Sequence, residues 1–165
     1  MPATTEQIKE LRERTGAGIM DCKRAIDEAG SMEGAEKLIK EWGLAGVSKK
    51  AGREANQGLV ESYIHAGGRI GALVEVNCET DFVARTEDFR GLVREIAMQV
   101  AAMNPSRVSA DEPVADGAVG DVPLLDQPFI RDNSRTIRDL VTAGIAKLGE
   151  NIVVRRFARF ELGGQ

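Results

Sequence analysis

The spacing of apolar residues changes period between Ile70 and Ala101, and that change restricts the fold more than any other feature of the chain. Ile70, Ala72, Val74, Val76 and Cys78 fall two apart, the pattern of a strand with one buried face. Phe89, Leu92, Val93, Ile96, Ala97, Val100 and Ala101 then recur at steps of three and four, the stripe of an amphipathic helix. Thr80, Asp81 and Phe82 therefore lie in or near a strand-to-helix corner. Residue types leave two readings of it open. In one, Phe82 folds into the core while Asp81 or Thr80 caps a helical turn. In the other, the corner presents Phe82 and Asp81 to a partner, as loops on rigid scaffolds often do.

The rest of the chain assembles around this junction. Thr4 with Gln7 three positions on has the form of a capping box, opening a helix with Ile8 and Leu11 on its apolar side. Gly16-Ala17-Gly18 breaks it. A second helix carries Ile19, Cys22, Ala25, Ile26 and Ala29 up to Gly30, and Ser31 caps a third with Ala35, Leu38, Ile39 and Trp42. Residues 1–46 thus form a three-helix module. Its few large apolar residues make it marginal, since small single cores rarely supply more than about 3–5 kcal/mol. Residues 47–57 are polar, basic and non-periodic, as suits a linker or hinge.

A hairpin comes next, Leu59 to His65 and Arg69 to Cys78, turning at Gly67-Gly68. Thr86 caps the long helix and Asn104-Pro105 stops it. Residues from about 106 to 123 read as an acidic loop with at most a short strand near Val108. A last helix begins at Asn133 or Ser134, carries Ile137, Leu140, Val141, Ile145 and Leu148, and ends at Gly149; Ile152 to Glu161 is the final strand. The predicted class is α+β, with residues 58–165 forming a small core of a three-stranded antiparallel sheet packed with helices. Those helices cover one sheet face. The other is solvated or meets a second copy, with Val153 and Phe157 alternating against Ile152, Val154 and Phe160.

Charge narrows the function. The net −4 resides in residues 106–128, where Arg107 stands against Asp111, Glu112, Asp116, Asp121 and Asp126. Elsewhere acids and bases balance, and with seven aromatics in all the basic footprint of a nucleic-acid binder is missing. No stretch approaches the roughly 20 apolar residues of a membrane span, and no signal-peptide pattern opens the chain, so the cytoplasm is the expected location. Cys22 and Cys78 stand singly, as core thiols of a reducing compartment would. No GxxxxGK[ST] phosphate loop occurs, and the single histidine, His65, excludes His-pair metal motifs. Neither a cofactor nor a metal is expected.

The run Glu75-Val76-Asn77-Cys78-Glu79-Thr80-Asp81-Phe82-Val83-Ala84-Arg85 closely resembles a signature of the bacterial translation elongation factor Ts family. Leu11 to Ile26 resembles the family's other signature, with Ile26 where Leu is usual, and Gly149-Glu150-Asn151-Ile152-Val153-Val154-Arg155-Arg156-Phe157 resembles its C-terminal pattern. Such a resemblance implies a ubiquitin-associated-like (UBA-like) N-terminal module and a guanine-nucleotide exchange factor for elongation factor Tu, not an enzyme. It implies that Phe82 enters an apolar pocket of the GTPase with Asp81 hydrogen-bonding beside it, flanked by Thr80 and Val83. It also implies that Ile19, Met20 and Lys23 meet the same partner. On residue type alone, Ile19 reads equally as a core position and Lys23 as a solvated charge. Longer family members carry a second half-core and a helical insertion where this chain has its acidic loop, and compact members replace the missing half by dimerising. The competing reading is a non-catalytic adaptor using the three-helix module, which leaves Glu75–Arg85 without a role; an enzyme using Cys22 or Cys78 ranks third.

Overall fold

The computed structural model describes residues 2–118 and 120–164, so the domain limits set at 1 and 165, and residue 119 of the acidic loop, lie outside the described residues. Helix α1 (Thr5–Thr15) opens on the reciprocal box: Gln7 N–H donates to Thr4 Oγ1 at 3.2 Å, and Thr4 N–H donates to Gln7 Oε1 at 3.0 Å. Gly16 closes it at φ 69°, a left-handed cap that glycine adopts without a Cβ penalty. α2 (Ile19–Ala29) ends at Gly30 in the same way, and Ser31 caps α3 (Met32–Lys50). Leu11, Cys22, Ala25, Ile26 and Ala35 form the buried centre of this module, with Ile8, Leu38, Ile39 and Trp42 around it. The Arg24 guanidinium lies over the Trp42 ring, 3.9 Å from its centroid.

The expected linker at 47–57 is shorter than its composition suggests. α3 continues to Lys50 because Val47 packs against the second core, and Lys49 and Lys50 sit at the negative end of the helix dipole. Only residues 51–56 connect α3 to β1 (Gln57–Ile64). β1 and β2 (Ile70–Cys78) form the hairpin, which leads into a one-turn helix α4 (Asp81–Ala84) and the long α5 (Glu87–Met103). Thr86 caps α5 through Phe89 N–H, and Asn104 closes it at φ 46°.

The acidic loop contains no helix or strand among the described residues up to the 3₁₀ turn Leu124–Asp126. Val108 is buried, and its carbonyl accepts from Leu125 N–H at 3.0 Å. The buried Gln99 amide ties α5 to the segment beyond this turn, donating to Gln127 Oε1 and the Pro128 carbonyl and accepting from Ile130 N–H. Residues 132–136 then depart from expectation: they form strand β4 (Asp132–Thr136), paired with β3 (Pro128–Phe129), and α6 (Ile137–Leu148) starts later than Asn133 or Ser134. Ser134 commits its N–H and hydroxyl to the Asp132 carboxylate, which also lowers that carboxyl's pKa. Thr136 and Asp139 instead form the capping box.

β5 (Ile152–Glu161) completes an antiparallel sheet in the order β1-β2-β5. α5 packs across one face of it, over a core that includes Val74, Val76, Phe89, Val93, Ile96, Val100 and Ile152. Ladder partners are Val76 with Val154 but Glu75 with Arg156, so Arg155 is an extra, bulged residue. One inserted residue reverses which side chains face the core beyond it. Phe157, expected beside Val153, packs half-buried against the core, whereas Phe160, expected beside Ile152 and Val154, is 73% exposed on the open face. That face carries Val60, Ile64, Leu73, Val153 and Phe160 around a Glu75–Arg156 ion pair.

Candidate functional site

The corner begins where β2 runs out. Cys78 is its last core residue, and the Cys78 thiol donates to the Thr80 carbonyl at 3.1 Å. Thr80 Oγ1 then accepts from Val83 N–H at 3.3 Å, capping α4. Within this single turn adjacent side chains diverge. Val83 and Ala84 are buried beneath the corner, and Phe82 points outward, 77% exposed. An apolar ring so open on a backbone so tightly held is the unusual feature of the region, because Phe is ordinarily buried. Thr80 caps the turn as the first of the two readings expects, but Phe82 does not fold into the core as that reading requires.

Two carboxylates fix the corner to the turn between α6 and β5. Glu150 Oε1 accepts from Glu79 N–H at 3.1 Å and Thr80 N–H at 2.9 Å, while Glu150 Oε2 accepts from Thr80 Oγ1 at 2.7 Å. In return Glu79 Oε1 accepts from Asn151 N–H at 2.7 Å and lies 3.6 Å from the Arg53 guanidinium. Asn151 Nδ2 donates to the Arg53 carbonyl at 2.9 Å, bringing in the connection after α3. Asp81 pairs with Arg85 at 2.9 Å, and both side chains are largely exposed. A pair of this kind contributes little to stability and gives way readily to a better partner.

Thr80, Asp81, Phe82 and Val83 are thus brought together as one element, with Val83 supporting it from below. Ile19, Met20 and Lys23 form a second, exposed patch on the first turns of α2, bordering the buried stripe of Cys22, Ala25 and Ile26. Ile19 is 55% and Met20 73% exposed, so Ile19 is not a core position. Among the described residues no hydrogen bond or ion pair joins the two patches. The sequence places Glu150 and Asn151 in the C-terminal pattern and Arg53 in the connection after α3 but assigns none of them a role at the corner; the available signal is the carboxylate directly after the helix-ending Gly149.

Neither cysteine is poised as a nucleophile. Burial raises the Cys78 thiol to about 11, with the nearby Glu150 charge adding to the shift, and burial raises Cys22 as well. Among the described residues no group of three or more His, Cys, Asp or Glu side chains is placed to hold a metal ion, and no helix is long and apolar enough to cross a membrane.

The family model described as Elongation factor TS matches residues 45–117 and 79–165. The protein named Elongation factor Ts from Caldanaerobacter subterraneus subsp. tengcongensis is 50% identical over 193 aligned positions, covering 97% of this chain and 96% of the relative. The chain belongs to the elongation factor Ts family. Proteins of the same name from Carboxydothermus hydrogenoformans and Herpetosiphon aurantiacus are 48% and 45% identical; the alignments cover 97% and 99% of this chain, and 89% and 99% of those relatives. The first alignment is longer than this chain of 165 residues, so that relative carries residues missing here. A general exchange function on elongation factor Tu is consistent with membership. Elongation factor Ts proteins act without covalent catalysis, so the chain is not an enzyme.

Proposed function

We propose that the chain promotes GDP release from elongation factor Tu by seating Phe82 in an apolar pocket of the GTPase, with Asp81 hydrogen-bonding beside it. The observation that carries this reading is the exposed Phe82 ring on a corner fixed by Thr80, Glu79 and Glu150. A side chain held ready loses little freedom on docking, so more of its burial energy appears as binding. Burying one Phe is worth roughly 1.5–3 kcal/mol, which is about one to two decades in affinity. The wedge therefore needs a second anchor. Ile19, Met20 and Lys23 on the UBA-like module provide it, presenting two apolar side chains and a cation on one exposed surface.

Docking at the corner shifts the elements of the GTPase that hold Mg²⁺ and phosphate, without Phe82 or Asp81 touching the nucleotide. Coupling of binding free energies is reciprocal, so a factor that weakens GDP is itself weakened by GDP. In this reading the open sheet face meets a second copy of the chain. The central Glu75–Arg156 pair compensates two of the charges among the apolar residues there. The place of action is the cytoplasm, a reducing compartment suited to the two free thiols. Neither nucleic acid nor membrane takes part.

Titration of the protein against nucleotide-free and GDP-loaded elongation factor Tu tests the reading. Tighter binding to the nucleotide-free form is expected. Equal affinity for the two forms would establish an adaptor instead.

A further inference from the structure

Glu150 lies 70 residues from Thr80 in sequence, yet its carboxylate takes three hydrogen bonds from Glu79 and Thr80. The Thr80 hydroxyl has a single proton, which it gives to Glu150 Oε2, leaving its lone pairs to accept Val83 N–H and cap α4. Glu150 therefore sets the rotamer of Thr80, and the capped turn sets the direction of Phe82. The Glu79 carboxylate returns the constraint through Asn151 N–H and Arg53. The contacts are charge-assisted, the stronger class of hydrogen bond.

From this geometry we infer that Glu150 is a positioning residue for exchange: it touches neither partner nor nucleotide, and acts by holding the Thr80–Val83 turn so that Phe82 is delivered preordered. This rests on the reading of Phe82 as the exchange wedge. Without Glu150, the Glu79 and Thr80 amides turn to water, the Thr80 hydroxyl is free to rotate, and the turn samples orientations in which Phe82 misses its pocket. Only the competent fraction then binds, so the apparent affinity for the GTPase, and with it the exchange rate below saturation, falls by that fraction.

The test is the rate of release of a fluorescent GDP analogue from elongation factor Tu, at concentrations of this chain well below saturation, measured for the wild type, Glu150→Ala, Phe82→Ala and the double variant. Glu150→Ala is expected to lose about tenfold, the order of one lost charge-assisted bond. In the Phe82→Ala background the same change is expected to have a much smaller effect, the remainder acting through Asp81 on the same turn, because Glu150 acts chiefly through Phe82. A role in general stability would lower the rate by the same factor in both backgrounds, and that result overturns the inference. So does a Glu150→Ala protein as active as wild type while Phe82→Ala is impaired. A fully active Phe82→Ala would instead remove the wedge, and the inference with it. Should Glu150→Ala fail to fold, Glu150→Gln serves in its place. It keeps Oε1 for the two amides but presents N–H to the Thr80 hydroxyl, and a smaller loss, again chiefly in the Phe82 background, is expected; no loss in that background overturns the inference.

Discussion

Phe160→Ala should separate two copies of the chain while leaving each folded. In the isolated chain the Phe160 ring is 73% exposed, so its removal costs the fold little. Burying that exposed share in an interface recovers about three quarters of the roughly 1.5–3 kcal/mol available to a Phe. A two-fold contact uses the same surface on both subunits, so each substitution counts twice. The expected loss is about 2–4 kcal/mol of dimer stability, or roughly two to three decades in the dissociation constant. Sedimentation velocity from nanomolar to high micromolar concentration reads it directly. Phe157→Ala is the internal control, because the bulge at Arg155 turns Phe157 to the core. It should lower the melting temperature without dissociating the pair through its own side chain. A wild type that stays monomeric at every concentration, or a Phe160→Ala protein that associates as the wild type does, would refute the role given to this face. Dissociation by Phe157→Ala with retention by Phe160→Ala would refute the placement of the bulge.

Two more outcomes are expected from the packing and from the titration of a single group. Gly58→Ala places a Cβ 2.1 Å from the Val76 carbonyl oxygen at a φ of +143°, so β1 must part from β2 locally; a loss of about 2–5 kcal/mol is expected, seen as a melting temperature lower by roughly 5–15 °C. A variant melting within a degree or two of wild type would contradict that packing. Cys78 titrates at about 11 against an ordinary 9.0, and a thiol whose pKa is raised by folding stabilises the native state below 9 and loses that contribution as pH rises toward 11. Alkylation of Cys78 by iodoacetamide, followed by mass spectrometry, should be slow at neutral pH; rapid labelling of the native protein would show that the thiol is not buried.

The features legible in the sequence are those decided locally. The Thr4–Gln7 box, the glycine stops at 16, 30 and 149, the hairpin turn, and the change of period from β2 to α5 each depend on residues a few positions apart. The features that are not legible depend on pairing across the fold. Strict alternation puts Phe160 with Ile152 and Val154, and only the ladder with β2 shows that Arg155 is inserted. The end of α3 is hidden because Val47 stays helical by packing on a core formed by later residues. Ser134 has the residue type of a cap, but Asp132 occupies it, leaving Thr136 and Asp139 as the box. At the candidate site, Phe82 and Asp81 are visible as a motif, but residue type favours burial for the ring. Glu150 is invisible as a clamp because its partners lie 70 and 71 residues away.

Release of a fluorescent GDP analogue from elongation factor Tu, with catalytic amounts of this protein or of its Phe82→Ala variant, tests the role of the corner most directly. Acceleration that saturates with the wild type and falls about 10- to 100-fold in the variant is expected, from the burial of one Phe. Melting should be nearly unchanged, since the ring is exposed. No acceleration from folded wild type acting on active partner, or equal rates from the two proteins, would contradict the assignment of Phe82 as the element that drives exchange.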